Sequence, residues 1–187
     1  MELWVDPARL GYALWVTHAP VAIRRAARGD LAEIVRLYAD DELPLAQAAE
    51  PAALPPRGAE LSPAHVAAFE AIDADPNNHV FVAEVGGEVA GTFQLTFIRQ
   101  LSYGGCLVAQ VESVFVAPSA RSHGVGQAMM MFARTEAERR GALRLQLTSN
   151  SKRLRAHGFY ERLGYQATHK GMKLYLESPS RERTTER

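Results

Sequence analysis

The pattern of apolar and polar side chains in the first part of the chain predicts one strand followed by two helices. Residues 21–26 alternate apolar and polar side chains, as a half-buried strand does. Helical spacing follows, with Asp30 expected to cap the helix and Glu33 three residues on, as a capping box requires. A second helix is expected from Ser62 to about Ile72, because serine is a favoured cap and a proline stands in the first turn.

The second part of the chain predicts strands that alternate with helices. Two apolar runs in residues 79–98 flank Gly86 and Gly87, a pair typical of a tight hairpin turn. Later segments predict, in chain order, strand, helix, strand, helix and strand at 110–116, 125–140, 142–149, 153–163 and 172–177. Gly141 is expected to end the helix at 125–140. This order favours a mixed sheet covered by helices, which is an α/β layer architecture.

The composition is that of one globular domain without a general affinity for nucleic acid. The chain has 187 residues, a length that suits one domain. Lys plus Arg and Asp plus Glu number 21 each, so the formal net charge is zero. A nucleic-acid-binding protein usually carries a basic excess, so no nucleic-acid partner is expected.

Cysteine usage and the N-terminal segment predict a cytoplasmic protein without a membrane anchor. Cys106 is the only cysteine, which excludes an intramolecular disulfide and fits a reducing compartment. Charged residues interrupt the apolar ones at positions 1–20, unlike a signal peptide or a membrane span. We expect an N-terminal extension at 1–20, one domain at 21–177, and a polar, disordered tail at 178–187.

The sequence VESVFVAPSARSHGVGQAMMMFA, residues 111–133, places two glycines and two basic side chains before a helix. A helix N-terminus exposes N–H groups and carries about half a positive charge, so it attracts anions. Gly124 and Gly126 let a phosphate approach the backbone, while Arg121 and His123 add positive or donor groups. The turn therefore predicts a diphosphate site, although a tight turn without a ligand has the same pattern. No Gly-Lys-Ser/Thr follows, so the turn is not a P-loop.

Two motifs in the expected order resemble those of the GNAT superfamily of N-acetyltransferases. The first, a strand followed by Arg-x-x-Gly-x-Gly and a helix, is matched by Arg121, Gly124 and Gly126. The second lies in residues 147–165 and is matched at Asn150, Phe159, Tyr160, Gly164 and Tyr165. The resemblance covers about residues 21–177 and implies the GNAT fold. That fold is a mixed, mostly antiparallel sheet of six to seven strands flanked by helices, with splayed central strands.

The resemblance also implies acetyl-CoA as co-substrate and no metal. In the family, the strand before the glycine turn pairs with the pantetheine arm, and the Val114 N–H becomes the expected oxyanion donor. The positions assigned to acetyl-CoA by resemblance are Val114, Phe115, Val116, Arg121, Ser122, His123, Gly124, Val125, Gly126, Gln127 and Asn150.

Two side chains are candidates for proton transfer. By resemblance, Tyr160 stands where many family members carry the acid that protonates the leaving thiolate; a core tyrosine packed under the cofactor is the alternative. Counting by two puts Glu112 on the same side as Val114 and Val116, where a carboxylate could take a proton from the amine. The alternative for Glu112 is a structural partner for a nearby cation.

The function expected from the resemblance is transfer of an acetyl group from acetyl-CoA to a primary amine, by direct attack through a tetrahedral intermediate. The alternatives are a non-catalytic acyl-CoA-binding or regulatory module, and an acyltransferase for another acyl group. The acceptor, a small-molecule or protein amine, is expected against the loops at 40–61 and 98–108. Acidic residues at 40–42 could attract a cationic amine or form a solvated helix end. A homodimer stays open, and no membrane partner is expected.

Overall fold

The structure, a computed structural model, describes residues 15–16, 19–40 and 60–174 of the chain. Its strands and helices are β1 (Trp15–Val16), β2 (Ala19–Arg25), α1 (Leu31–Ala39), α2 (Pro63–Asp73), β3 (Asn78–Val85), β4 (Glu88–Arg99), α3 (Ser102–Gly105), β5 (Leu107–Val116), α4 (Val125–Arg139), β6 (Arg144–Leu147) and α5 (Leu154–Arg162). The predicted alternation of strands and helices is confirmed as far as α5. Among the helices of these ranges, none combines the length and apolar composition that a bilayer span requires.

Strands β2 to β6 form a five-stranded mixed sheet whose spatial order follows chain order. Neighbouring strands from β2 to β5 are antiparallel, and β6 pairs with β5 in parallel. The two-residue β1 only extends the outer edge of β2. Within the described residues the sheet has five strands besides the two-residue β1, so the predicted six to seven strands are not confirmed, whereas the mixed sheet flanked by helices is confirmed.

The strand predicted at 172–177 is one reason for the difference. Residues 172–174 are not in a strand, and Met172 and Leu174 are 92% and 87% exposed. Their alternation with lysine has the period of a strand, but a strand also needs a neighbouring strand to satisfy its backbone. Residues 175–177 lie outside the described residues, as do the predicted tail and most of the predicted extension and of the loop at 43–61.

Helices cover both faces of the sheet and divide the apolar core in two. On the face that we call the α4 face, buried side chains such as Phe81 and Phe93 pack with Met129 of α4. The Phe81 and Phe93 rings stack with their centroids 5.2 Å apart. On the opposite face, the α1 face, Val82 packs with Ile34 of α1. Burial of each such side chain contributes roughly 1.5–3 kcal/mol to stability.

Several turns and helix ends follow from single residues, as predicted. Gly86 and Gly87 have φ of 61° and 86°, the left-handed backbone that a two-residue hairpin turn requires. The Ser62 hydroxyl caps α2 by accepting a hydrogen bond from the His65 N–H. Gly141, with φ of 69°, follows the end of α4.

The predicted capping of α1 by Asp30 and Glu33 is wrong. The Asp30 carboxylate makes no capping bond to α1; it accepts a hydrogen bond from the Ala27 N–H and forms an ion pair with Arg24 at 2.6 Å. Glu33 pairs with Arg36 instead. A charged partner from the neighbouring strand outcompetes the cap, because an ion pair with hydrogen bonds is the stronger contact for a carboxylate.

Candidate functional site

Strand β5 is paired on both sides over its first half but on one side over its second half. The parallel pairing with β6 runs from Val108 opposite Arg144 to Val111 opposite Leu147, where β6 ends. Residues 112–116, which we call the distal half of β5, continue beyond that point. Within the described residues, β6 pairs with none of these positions, and a ligand can lie along this edge as an added strand would.

A β-bulge interrupts β5 at the start of its distal half. Gln94 of β4 pairs with Glu112, but Thr92 pairs with Phe115, so two residues of β5 stand opposite one of β4. Ser113, one of the two, has φ of 50°, in the left-handed region that non-glycine residues seldom adopt. The extra residue shifts the alternation of side chains along the rest of the strand.

The bulge overturns the prediction that Glu112 lies on the same side as Val114 and Val116. The β4 partners of Glu112 and Phe115 are two positions apart, so Glu112 and Phe115 share one face of the sheet. The Phe115 ring lies 4.9 Å from the ring of Tyr38, which places both residues on the α1 face. Val114 and Val116 pack with the core of the α4 face. Counting by two failed because it assumes an unbroken pleat.

Glu112 is an exposed carboxylate on the α1 face. Within the described residues its carboxylate makes no hydrogen bond or ion pair, so the structure gives no support to the alternative of a structural partner for a cation. A carboxylate in this state can accept a proton or bind a cationic group.

Tyr38 of α1 also lies in this region, against Phe115. Burial raises the pKa of its phenol, and hydrogen bonds with the Thr92 and Ser113 hydroxyls oppose that rise. The Thr92 hydroxyl donates to the Phe81 carbonyl at 2.9 Å, so its single proton is used there. These contacts place the Tyr38 phenol beside Thr92 and Ser113 and so bring α1 against the bulge.

The glycine turn, residues 121–126, begins α4 with left-handed backbone. Gly124 has φ of 84° and occupies the position before the first helical residue, and no side chain caps the helix there. Ser122 also has positive φ, at 64°. A Cβ atom on Gly126 would lie 3.4 Å from Cζ of Phe159, so this glycine lets α5 pack against the turn. The exposed first turn of a 15-residue helix can accept an anion.

Arg121 braces the glycine turn from within. Its Nε donates to the Val116 carbonyl at 3.1 Å, and its Nη2 donates to the Asp40 carbonyl at 3.2 Å. These contacts join the end of β5 to the residue after α1. Two of the predicted phosphate-binding donors of Arg121 are thus committed to backbone carbonyls.

The other predicted cofactor positions differ in what they can offer. Ser122, His123 and Gln127 are exposed at the turn, whereas the Val125 side chain is buried in the α4-face core. Val125 can meet a ligand only through its backbone. The Asn150 Oδ1 accepts from the Lys152 N–H at 3.0 Å, so Asn150 organises the loop before α5.

Tyr160 lies on α5, on the same face of the sheet as the glycine turn. It packs with the α4-face core, and its ring centroid is 5.2 Å from that of Phe159 and 5.6 Å from that of Tyr165. Burial raises the pKa of the Tyr160 phenol, with Arg153 opposing the rise. Its hydroxyl therefore keeps its proton at neutral pH and can donate it. Both parts of its predicted description, core packing and proton donor, are compatible with this position.

The neighbouring Tyr165 hydroxyl is a buried polar group whose hydrogen-bonding capacity is unsatisfied. Within the described residues it has no hydrogen-bond partner. Burial, and then the nearby Tyr160, raise the pKa of Tyr165 to about 12, with Arg134 opposing. An unsatisfied buried hydroxyl costs stability, which makes Tyr165 a measurable feature of this region.

Comparison with protein families finds a match to the acetyltransferase (GNAT) family over residues 23–165. This range contains the distal half of β5, the glycine turn and α5. The chain is 34% identical over 101 residues to an aminoalkylphosphonate N-acetyltransferase of Salmonella typhimurium. It is 33% identical over 97 residues to a glucosamine 6-phosphate N-acetyltransferase of Trypanosoma brucei brucei.

These alignments cover 54% and 52% of this chain and 65% and 64% of the respective relatives, so the chain spans just under two thirds of their length. Among solved structures, a protein described as a transcriptional regulator from Bacillus halodurans C-125 is similar, with a TM-score of 0.74 and 36% identity. That match covers 83% of this chain and 99% of the other.

Proposed function

Because the chain belongs to the acetyltransferase (GNAT) family, we propose that it transfers an acetyl group from acetyl-CoA to the nitrogen of a primary amine. The observation that carries the proposal is the adjacency of two features on one strand. The distal half of β5 continues past the end of β6 and offers an edge for the pantetheine arm, and the glycine turn directly after it offers helix N–H groups for the diphosphate.

The residues of the turn fit acetyl-CoA as a substrate. Gly124 adopts a backbone that exposes the turn, and Gly126 keeps the first helical turn free of side-chain bulk. Val114, Phe115 and Val116 supply the strand edge, and the backbone of Val125 and Gln127 continues the cradle. Arg121 and Asn150 hold the two loops that border it, while Ser122 and His123 are exposed beside the phosphates.

Proton transfer is proposed to reach the reacting carbon from both faces of the sheet. The amine nitrogen attacks the thioester carbonyl carbon, and the Val114 N–H stabilises the negative oxygen that forms. When the C–S bond breaks, the leaving thiolate takes the proton of the Tyr160 hydroxyl from the α4 face. Glu112 receives the proton that the amine loses, directly or through water, from the α1 face. Val114 suits its role because it lies in the bulge, without a register partner in β4.

The proposed acceptor is a small-molecule amine. The names of both curated relatives denote small amines that also carry a phosphonate or phosphate group. A lysine-like amine has a pKa of about 10.4, so a base is needed to reach the neutral, nucleophilic form at pH 7.

A panel of amines tests the proposal, with release of free thiol from acetyl-CoA as the readout. The panel contains aminoalkylphosphonates, amino sugars, polyamines, amino acids and a lysine peptide. We expect turnover with at least one small amine. Tight binding of CoA without thiol release from any amine would contradict catalysis.

The second candidate function is a regulatory acyl-CoA-binding module. It is favoured by the similar structure that is described as a transcriptional regulator. This function predicts CoA-dependent stabilisation of the fold with no thiol release in the same panel. Propionyl-CoA and succinyl-CoA in parallel reactions test the remaining alternative, an acyltransferase for another acyl group.

A further inference from the structure

A row of polar side chains crosses four strands on the α1 face. We call Asn78, Thr96, Gln110 and Gln146 the polar row. Register pairs Asn78 of β3 with Thr96 of β4, Thr96 with Gln110 of β5, and Gln110 with Gln146 of β6. All four side chains are partly exposed. An antiparallel sheet can leave part of one face to water, and the polar row lies beside the apolar part of this face that α1 covers.

One end of the polar row has a fixed hydrogen-bond direction. Arg144 Nε donates to Gln146 Oε1 at 2.9 Å, and Gln146 Nε2 donates to Gln110 Oε1 at 2.8 Å. A guanidinium can only donate, so the order of donors and acceptors follows from Arg144. The amide N–H groups of Gln110 are left to donate to something else. Arg144 itself is exposed, beside the ring of Tyr103 at 5.8 Å.

The other end of the polar row orients a second amide. Asn78 Oδ1 accepts from Gln94 Nε2 at 2.9 Å and from Thr96 Oγ1 at 3.0 Å. The Gln94 oxygen is therefore left as an acceptor. Gln94 stands directly opposite Glu112, so these two acceptors lie beside the polar row, at the start of the distal half of β5.

We propose that this surface is the floor of the acceptor site and selects primary amines that carry an oxyanion. The inference rests on the proposed acetyl transfer. The acceptor pair, Gln94 and Glu112, holds the amine beside the thioester. Gln110 and Arg144 hold a phosphonate, phosphate or carboxylate farther along the strands. Successive same-face positions on a strand are about 7 Å apart, so Glu112 and Gln110 can contact different groups of one small ligand.

Matched amine pairs test this selectivity by thiol release. Each pair differs in the oxyanion: 2-aminoethylphosphonate against ethanolamine, glucosamine 6-phosphate against glucosamine, and β-alanine against propylamine. We expect kcat/KM to be at least tenfold higher for the charged member. Ranking phosphonate, phosphate and carboxylate separates the three sources of the oxyanion. Equal values within the pairs would overturn the inference while leaving acetyl transfer intact.

Variants locate the effect on the floor. Arg144→Gln and Gln110→Leu should each lower kcat/KM for the charged amines about tenfold and change the neutral ones less than twofold. Arg139→Gln, which removes the same charge from an exposed arginine of α4, is the control and should change neither. A loss shared equally by charged and neutral amines would contradict an oxyanion contact.

Calorimetry gives a readout that does not need turnover. Titration of 2-aminoethylphosphonate into CoA-saturated protein should show binding that weakens about tenfold in Arg144→Gln. Equal affinity of the two proteins, or absence of binding to wild type, would overturn the proposed floor whether or not thiol release is seen. Binding without thiol release would instead remove the proposed chemistry and keep the floor.

Discussion

On the α4 face of the sheet, Val114 and Val116 of β5 pack with Tyr160 of α5 in an apolar layer. On the α1 face, Glu112 is exposed beside Gln94. Both groups of residues lie just beyond the point where β6 stops pairing with β5. The contrast suggests a division of labour between dry and wet sides. A phenol keeps its proton in the buried layer, while a carboxylate stays available to take one from water-accessible groups.

The largest expected effect comes from the α4 face. Tyr160→Phe keeps the ring contacts with Phe159 and removes the proton, so turnover should fall roughly 10²-fold, the lower end of general acid catalysis. Affinity for CoA should change little. Steady-state kinetics with calorimetric CoA binding measures both. Thioesters with a more acidic leaving thiol should restore part of the rate, because such a thiolate departs without help.

Tyr165→Phe is the control for removing a neighbouring phenol and should leave turnover near wild type. Unchanged turnover in Tyr160→Phe would leave Tyr160 as a packing residue only.

The next effect concerns the glycine turn and is read as stabilisation by CoA. A ligand at 100 times its Kd adds about 2.7 kcal/mol to a native protein. For a domain of this size, that raises Tm by about 5–10 °C. Gly124→Val should lose most of this shift, because the new side chain occupies the approach of the phosphates. Differential scanning fluorimetry with and without CoA measures it.

Gly141→Val separates ligand loss from backbone strain. Both glycines have positive φ, and a side chain in that region costs about 1–2 kcal/mol. Both variants should therefore lower the apo Tm by a few degrees, but Gly141→Val should keep the CoA shift. Equal CoA-induced Tm shifts in the two variants would show that the diphosphate does not bind at the glycine turn.

A smaller effect is expected on the α1 face. Glu112→Gln should lower turnover about tenfold at pH 7, because the carboxylate no longer accepts the amine's proton. The loss should shrink as pH rises toward 10, where a free amine is abundant without a base. A pH–rate profile checks this, and Glu138→Gln, which changes an exposed carboxylate of α4, is the control. A constant ratio to wild type at all pH values would exclude the base role.

The smallest effect is on stability. Tyr165→Phe removes a buried hydroxyl without a partner in the described structure, and should raise stability by about 1 kcal/mol at pH 7. The raised pKa, about 12, adds a pH dependence. Because the folded state holds this proton more tightly than the unfolded chain, its contribution is complete below pH 10 and is lost as pH rises toward 12. Urea unfolding at pH 7 and pH 11 should show a weaker alkaline loss in the variant.

Local rules predicted much of the fold. Gly86, Gly87 and Gly141 adopt the positive φ that their positions suggested, and Ser62 caps its helix as expected. Each of these features depends on a few neighbouring residues. Asp30 escaped prediction because its ion pair with Arg24 comes from another element.

The site was less readable than the fold. The sequence around Ser113 does not predict its positive φ, because serine usually avoids that region. The bulge also contacts Tyr38 of α1, which is distant in the sequence. That one residue reversed the predicted face of Glu112. The polar row was equally hidden, because its members are brought together by strand register and are far apart in the chain.

The order of the strands also bears on how the protein comes into being. From β2 to β5 each strand pairs with the next one in the chain, whereas the β5–β6 pair needs the crossover through α4. Non-local parallel pairings are slow to form, because chain entropy is lost before contacts compensate. A nascent chain that ends before β6 can therefore form the antiparallel strands β2 to β5 but lacks β6 and α5, which border the proposed site. We expect the proposed acetyl transfer only after α5, the last helix of the described residues, has been made.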